Sequence, residues 1–528
     1  MLRPTSFLTQ LTLWVAAANA FVLFVPDDQC DPSGHCGPFT KSTRKHGGHS
    51  TRSNDEVVSY PLVARPRPVF KDEDEPFDRV AVAMARVAQK FGHSPAVRAR
   101  GEKDDKNYVP GNQYTISTPI TPTSEGSTGI YQYGPDFSYF IQIKLGSQQT
   151  PMYMLLDTGA ANTWVMGTEC TEYACRIHNR FNKSTSTSWE PEAGPLEIYY
   201  GSGTVTGVLG RDNMLLAGKT VKVSLGVANH TAEELRHYAF EGILGLAMSN
   251  SVTGTFMHEM RQQKAFQPIV AVSMNRHSDG VNDGQVTFGG VDPAKYVGEI
   301  KYANVPEEEK KNGEWTIPLD GFSFDGKKAD LNLTKAVIDT GTTYIFASPA
   351  DVAALFKLVP GSTMEVKTGY NEYTVPCSTK TAFKVTFGGV AYEIPAKDWM
   401  AQVEDNKCLS RIYGYPDLAE FRPGVWVMGD VFLKNVYSVF DAVNGNMRIG
   451  FANKAAPPKP TSTGNTGAVV TGEDGRPITP GSSISGSPTG EAASPETVTP
   501  QTVSGGSKVG GIAFALAWAV VAWAMVAV

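Results

Sequence analysis

One order of residues occurs twice in this chain. Met152-Tyr-Met-Leu-Leu-Asp157-Thr158-Gly159 and Lys335-Ala-Val-Ile-Asp339-Thr340-Gly341 each carry an apolar, strand-like stretch into Asp-Thr-Gly. Later in each half a second apolar run ends in glycine, at Gly242-Ile-Leu-Gly245 and at Trp426-Val-Met-Gly429. A single Asp-Thr-Gly reads as a turn, because Asp and Gly both favour turns. Two copies, each placed after a strand and before an apolar-Gly run, predict two related lobes facing one another. From Tyr131 to Asn453 the chain alternates short strand patterns with Gly-rich turns, as all-β domains do. The expected fold is all-β and bilobal, with a cleft between the lobes.

The residue types at the repeat suit acid–base chemistry. Glycine permits a tight turn that lets two side chains approach across a lobe interface. Threonine can donate hydrogen bonds that fix the loop. Two carboxylates about 3 Å apart do not both ionise easily and share a proton. One then acts as base toward a bound water, while the other, still protonated, polarises a scissile carbonyl. Other hydrolytic motifs are missing: His258-Glu259 lacks the second His of a zinc protease, and no G-x-S-x-G occurs. No cofactor and no metal are expected.

Over Tyr131 to Asn453 the chain resembles the pepsin family of aspartic proteases. Asp157-Thr-Gly-Ala-Ala-Asn-Thr-Trp164 is similar to the first active-site loop and Asp339-Thr-Gly-Thr342-Thr343 to the second. Tyr199-Tyr200-Gly201-Ser202-Gly203 resembles the flap hairpin, and Phe240-Glu-Gly-Ile243-Leu-Gly-Leu246 and Val427-Met-Gly-Asp-Val-Phe432 the two apolar-Gly strands. Phe288-Gly-Gly290, Val439-Phe-Asp441 and Ile449-Gly-Phe-Ala452 also fit. The resemblance implies an aspartic endopeptidase of polypeptide substrates, working at acid pH and as a monomer. Asp157 and Asp339 would be catalytic, supported by Thr158, Gly159, Thr340, Gly341 and Thr342. Tyr200, Gly201 and Ser202 would form a mobile flap, with the Tyr200 hydroxyl bonding Trp164. Phe240 and Ile243 match positions that line the S1 pocket, favouring an apolar or aromatic residue before the cut; the competing reading is core packing. Cys170–Cys175 and Cys377–Cys408 fall at the positions of two family disulfides.

One departure stands in the first loop, where Ala160 replaces the usual Ser. Loss of a donor to the charged carboxylate should raise its pKa. A second feature lies upstream. An amphipathic helix is expected from about Phe77 to Phe91, with Val80, Met84, Val87 and Phe91 at helical spacing. Lys90-Phe91 at its end resembles the Lys-aromatic pair with which family pro-segments block the two Asp residues. A lysine at a helix C-terminus is equally an ordinary dipole partner.

The ends of the chain read differently. Arg3, an apolar run from Phe7 to Ala18 and Ala18-Asn-Ala20 form a signal-peptide pattern over 1–20. Residues 21–125 read as a pro-segment and 126–454 as the protease, with lobes of about 126–300 and 301–454. Residues 455–508 are a Ser/Thr/Pro/Gly-rich stalk unable to bury a core. The apolar end, 509–528, fits a GPI-anchor signal, with Ser504 a candidate attachment site; a transmembrane helix is the alternative. Six cysteines without C-x-x-C, and without histidines at zinc spacing, favour disulfides over metal. Cys30 and Cys36 are a candidate third pair, outside the family pattern. Asn182-Lys-Ser, Asn229-His-Thr and Asn332-Leu-Thr are glycosylation sequons. A formal net charge of -6, with no basic stripe, argues against nucleic acid. The stalk and anchor suit a cell-surface protease, and equally a surface glycoprotein reusing the fold for binding.

Overall fold

The structure is a computed structural model, and it describes residues 79–91, 111–122, 124–200, 203–249, 253–331, 335–367, 369–404 and 407–457. The expected signal peptide, the flap tip Gly201 and Ser202, Asn332, nearly all of the stalk, Ser504 and the apolar end lie outside the described residues. Cys30 and Cys36, the candidate third disulfide pair, lie outside them too.

The sequence repeat is a structural repeat. In the first half, strand Thr150–Asp157 runs parallel to Gly242–Gly245, with Asp157 opposite Gly245. In the second, Lys335–Ile338 runs parallel to Val425–Met428, with Ile338 opposite Met428. Each apolar-Gly strand then pairs antiparallel with a short strand after the Asp-Thr-Gly loop, Trp164–Met166 or Ile345–Ala347. All eight residues of the two apolar-Gly strands are buried. Burial on both faces explains why they read as unbroken apolar runs rather than alternating ones.

A third layer joins the halves. Val436–Asp441, from the second half, pairs with Ile269–Ser273 from the first, and both sit in one continuous sheet path that also holds Ser127–Tyr133, Gln285–Phe288 and Arg448–Lys454. Over the first half lies a long hairpin, Glu190–Tyr200 paired with Gly203–Leu216 up to Tyr200 opposite Gly203. The disulfides Cys170–Cys175 and Cys377–Cys408 are both formed.

The expected helix spans Arg79–Phe91. Ala83, Met84 and Val87 on its apolar face are buried against Val337, Phe346, Tyr370, Tyr413, Tyr415, Leu418, Val425 and Val427. The helix therefore packs on the second half, directly beside the strands that carry the repeat. Among the described residues, no helix is long and apolar enough to cross a membrane.

Candidate active site

Each Asp-Thr-Gly loop begins where a buried strand ends, so Asp157 and Asp339 emerge together between the halves, both fully buried. Glycine is required at the third position of each loop by close approach. A Cβ on Gly159 would stand 2.6 Å from the Asp339 carboxylate carbon, and one on Gly341 would stand 2.3 Å from that of Asp157. Any side chain there would push the halves apart.

The threonines lock the two loops reciprocally. The Thr158 amide donates to Thr340 Oγ1 and the Thr340 amide to Thr158 Oγ1, both at 3.0 Å. Each hydroxyl then donates onward to the opposite carrier strand: Thr158 to the Ile338 carbonyl at 2.9 Å, Thr340 to the Leu156 carbonyl at 2.7 Å. The Gly159 amide reaches Asp157 Oδ1 at 3.0 Å and Asp339 Oδ1 at 3.1 Å, so one N–H serves both carboxylates. Buried amide and hydroxyl groups are thus satisfied across the interface, which fixes the pair's geometry.

The fourth loop position breaks the symmetry. Thr342 donates its hydroxyl to Asp339 Oδ2 at 2.5 Å. Its counterpart in the first loop is Ala160, which offers no donor and packs against the apolar cluster around Trp164 and Phe240. Burial and the neighbouring Asp339 charge push the Asp157 pKa up, against the pull of Lys90 and Arg86. Burial pushes Asp339 the same way, but the Lys90 ammonium and hydrogen bonds from Lys90, Thr342 and Gly341 outweigh it and hold Asp339 below the usual carboxylate value. Behind Asp339, burial drives the Asp430 carboxyl well up, reinforced by the Asp339 charge.

Lys90 lies between the carboxylates. Its Nζ is 2.7 Å from Asp157 Oδ1 and 2.7 Å from Asp339 Oδ2, and its side chain is 3% exposed. Arg86, one helical turn earlier, reaches Asp157 Oδ2 at 3.4 Å. Sequence reasoning passed over Arg86, although Arg79, Arg86 and Lys90 recur at helical spacing and so share one side of the helix.

Phe240 and Ile243 are buried in one cluster with Phe137, Leu155, Trp164 and Tyr238. Core packing holds for both, and the Arg86 guanidinium lies 5.5 Å from the Phe240 ring centre. The Tyr200 side chain lies outside the described residues, and so does its expected bond to Trp164. Asn182 caps a short 3-10 turn by accepting from the Ser184 amide, and Asn229 is exposed.

A second centre went unread in the sequence. Glu241, fully buried, accepts from Asn112 Nδ2 and Asn179 Nδ2 at 2.7 Å each and from the Tyr153 amide at 2.6 Å. Burial nevertheless lifts its pKa to about 7. Through Asn112 it anchors the segment that also seats Tyr114 against His178. Nothing in spacing marked Glu241, because its partners come from separate stretches of chain.

Among the described residues, the one cluster with metal-like spacing is Cys170, Glu172 and Cys175, and its two sulfurs are joined in a disulfide. They are therefore not thiolate ligands.

Comparison with known proteins agrees with this geometry. The family described as eukaryotic aspartyl protease matches residues 138–454. The chain is 38% identical to the aspartic-type endopeptidase ctsD of Aspergillus fumigatus, over 71% of this chain and 77% of that protein. It is 35% identical to a probable aspartic-type endopeptidase CTSD of Trichophyton verrucosum, over 71% of this chain and 72% of the relative. It is 31% identical to cathepsin E of Aquarana catesbeiana, over 65% and 86% respectively.

Proposed function

Because the chain belongs to the eukaryotic aspartyl protease family, as an aspartic endopeptidase, we propose that Asp157 and Asp339 are its catalytic pair and that the protein is made as a precursor blocked by its own helix Arg79–Phe91. The observation that carries this reading is the Lys90 ammonium at 2.7 Å from both carboxylates. A cation held there neutralises the pair and fills the space a water and a peptide bond would need.

Once the helix leaves, the two carboxylates hold one proton between them. The ionised one takes a proton from a water, whose oxygen attacks the peptide carbonyl carbon. The protonated one gives its proton to the carbonyl oxygen, so a neutral gem-diol forms. Collapse of the diol breaks the C–N bond, with a proton passed to the leaving nitrogen and the other returned to the pair. The Thr342 hydroxyl stays on Asp339 when the helix leaves, and Ala160 offers Asp157 no counterpart, which favours Asp339 as the ionised base and Asp157 as the protonated partner.

Release follows from acidification. A carboxylate held below its ordinary pKa by a partner contributes binding that is present above that ordinary value and lost as pH falls through the depressed one. Asp339 is such a group, so the hold of Lys90 weakens in acid. The enzyme is then an acid protease whose apolar wall, Phe240 and Ile243, favours an apolar or aromatic residue before the cut. The hairpin Glu190–Tyr200/Gly203–Leu216 is the flap that closes over the substrate. The N-terminal apolar run, the Ser/Thr-rich stalk and the apolar end support secretion and lipid-anchored display at the cell surface, with glycans at Asn182, Asn229 and Asn332.

The test is acid treatment of the purified precursor, followed by intact-mass measurement and proteolysis of a denatured protein. The expected product begins after residue 91 and is active, and pepstatin stops it. A protein that keeps the helix and still cleaves at full rate would refute the blocking role.

A further inference from the structure

The cleft wall that the helix covers is an aromatic ladder. Phe137 and Tyr238 stack with ring centres 5.3 Å apart and planes 10° apart, and Phe240 follows at 4.9 Å from Tyr238. The helix covers all three rings with its basic residues: the Arg86 guanidinium lies 5.3 Å from the Tyr238 centre and 5.5 Å from that of Phe240, and the Arg79 guanidinium lies 4.9 Å from that of Phe137. Two arginines of the helix therefore occupy one continuous π-surface, and Arg86 is only 8% exposed in doing so. Arg86 also lies 3.4 Å from Asp157 Oδ2, so the ladder runs up to the carboxylate pair.

We propose that this ladder is a cation-accepting subsite, so that the enzyme prefers polypeptides carrying Arg or Lys at P1 (the residue before the cut) or at P3. The inference rests on the reading that the helix vacates the cleft. A guanidinium over an aromatic face is attracted by the ring quadrupole, more strongly when desolvated. The aliphatic stem of Arg or Lys uses the same apolar wall as Phe240 and Ile243, and its head lies on the rings. Alternate side chains of an extended peptide sit roughly 7 Å apart on one face, so P1 and P3 are the two positions that can present a side chain to the same wall. The resident arginines thus stand in for substrate side chains, and where P1 is the position that meets the ladder, its preference passes from a wholly apolar side chain to an apolar stem ending in a cation.

The test compares matched peptides with Arg, Lys, citrulline or Leu at P1, and again at P3, using the acid-processed enzyme at fixed pH and salt. Citrulline keeps the shape of Arg without its charge. We expect kcat/KM for Arg to exceed that for citrulline roughly tenfold at one of the two positions, and that ratio to collapse in Tyr238→Leu while surviving in Tyr238→Phe. Equal rates for Arg and citrulline at both positions, or an unchanged ratio in a folded Tyr238→Leu enzyme, overturn the subsite alone. An enzyme that cuts none of the peptides overturns the released-helix reading and this inference with it.

Discussion

The loop at Asp157 and the loop at Asp339 share their first three residues, exchange the same threonine hydrogen bonds and each press a glycine against the opposite carboxylate. They differ in what surrounds that frame. Asp339 receives a hydroxyl from Thr342 where Asp157 faces Ala160. Just before the strand beside Asp157 stands buried Glu241, while the strand beside Asp339 opens with buried Val425. The backbone repeat fixes where the carboxylates sit. Side chains outside the repeat make the two surroundings unequal, so that the Asp157 carboxyl is pushed up by burial while Asp339, with Lys90 and Thr342 on it, is held down.

The strongest way to break the comparison is to remove one charge at a time. Asp157→Asn and Asp339→Asn keep the shape but leave no carboxylate pair to share a proton. Each is expected to lower kcat/KM at least about a thousandfold, however different their surroundings. Retention of activity in either variant, measured on a denatured protein at acid pH, would mean that the two halves are not partners.

Replacing the shared cation comes next. Lys90→Met removes the cation shared by both carboxylates and leaves only Arg86 beside Asp157, a loss of about 3 kcal/mol or roughly a hundredfold in helix docking. The precursor should then convert at higher pH than the wild type, read by gel or intact mass across a pH series. An unmoved conversion pH would show that the apolar face, not the ion pair, holds the helix.

Glu241 separates the halves by stability. Its pKa rises from the ordinary 4.5 to about 7 on burial. A raised folded value stabilises the protein fully below about 4.5 and is lost as pH climbs through 7, a swing of about 3 kcal/mol. The first half should therefore be weaker at pH 8 than at pH 4, and Glu241→Gln should flatten that difference. Urea midpoints of both proteins at the two pH values check it, and parallel profiles would contradict the assignment.

The same contrast explains what could be read before the structure. The two lobes, the carrier strands and the carboxylate pair were legible because repeat order and buried-strand composition are local patterns, visible at Met152–Gly159 and Lys335–Gly341. The helix was legible from its apolar spacing, and Lys90 only through the resemblance of Lys90-Phe91 to the family's Lys-aromatic pair, since its place at a helix end fits an ordinary dipole partner equally. The Glu241 centre was not, since Asn112, Tyr153 and Asn179 converge on it only through tertiary packing. The Arg86 contact with Tyr238 and Phe240 was hidden for the same reason: periodicity shows which side of a helix a residue is on, but not what faces it.

The finest test exchanges the fourth loop position. Ala160→Ser supplies Asp157 with the donor that Thr342 gives Asp339, and Thr342→Ala removes that donor from the second loop. A hydrogen bond to an ionised carboxylate favours the charged form and lowers its pKa. The acid limb of kcat/KM, which marks loss of the ionised base, should move down by about one pH unit in Ala160→Ser and up by a similar amount in Thr342→Ala. Because the pair titrates as a unit, each profile yields a macroscopic value that belongs to both groups. The double variant restores one donor on the opposite side, so its limb should return close to the wild-type position while the base role passes toward Asp157. An acid limb that stays put in all three variants would mean that the asymmetry at Ala160 and Thr342 has no hold on the shared proton.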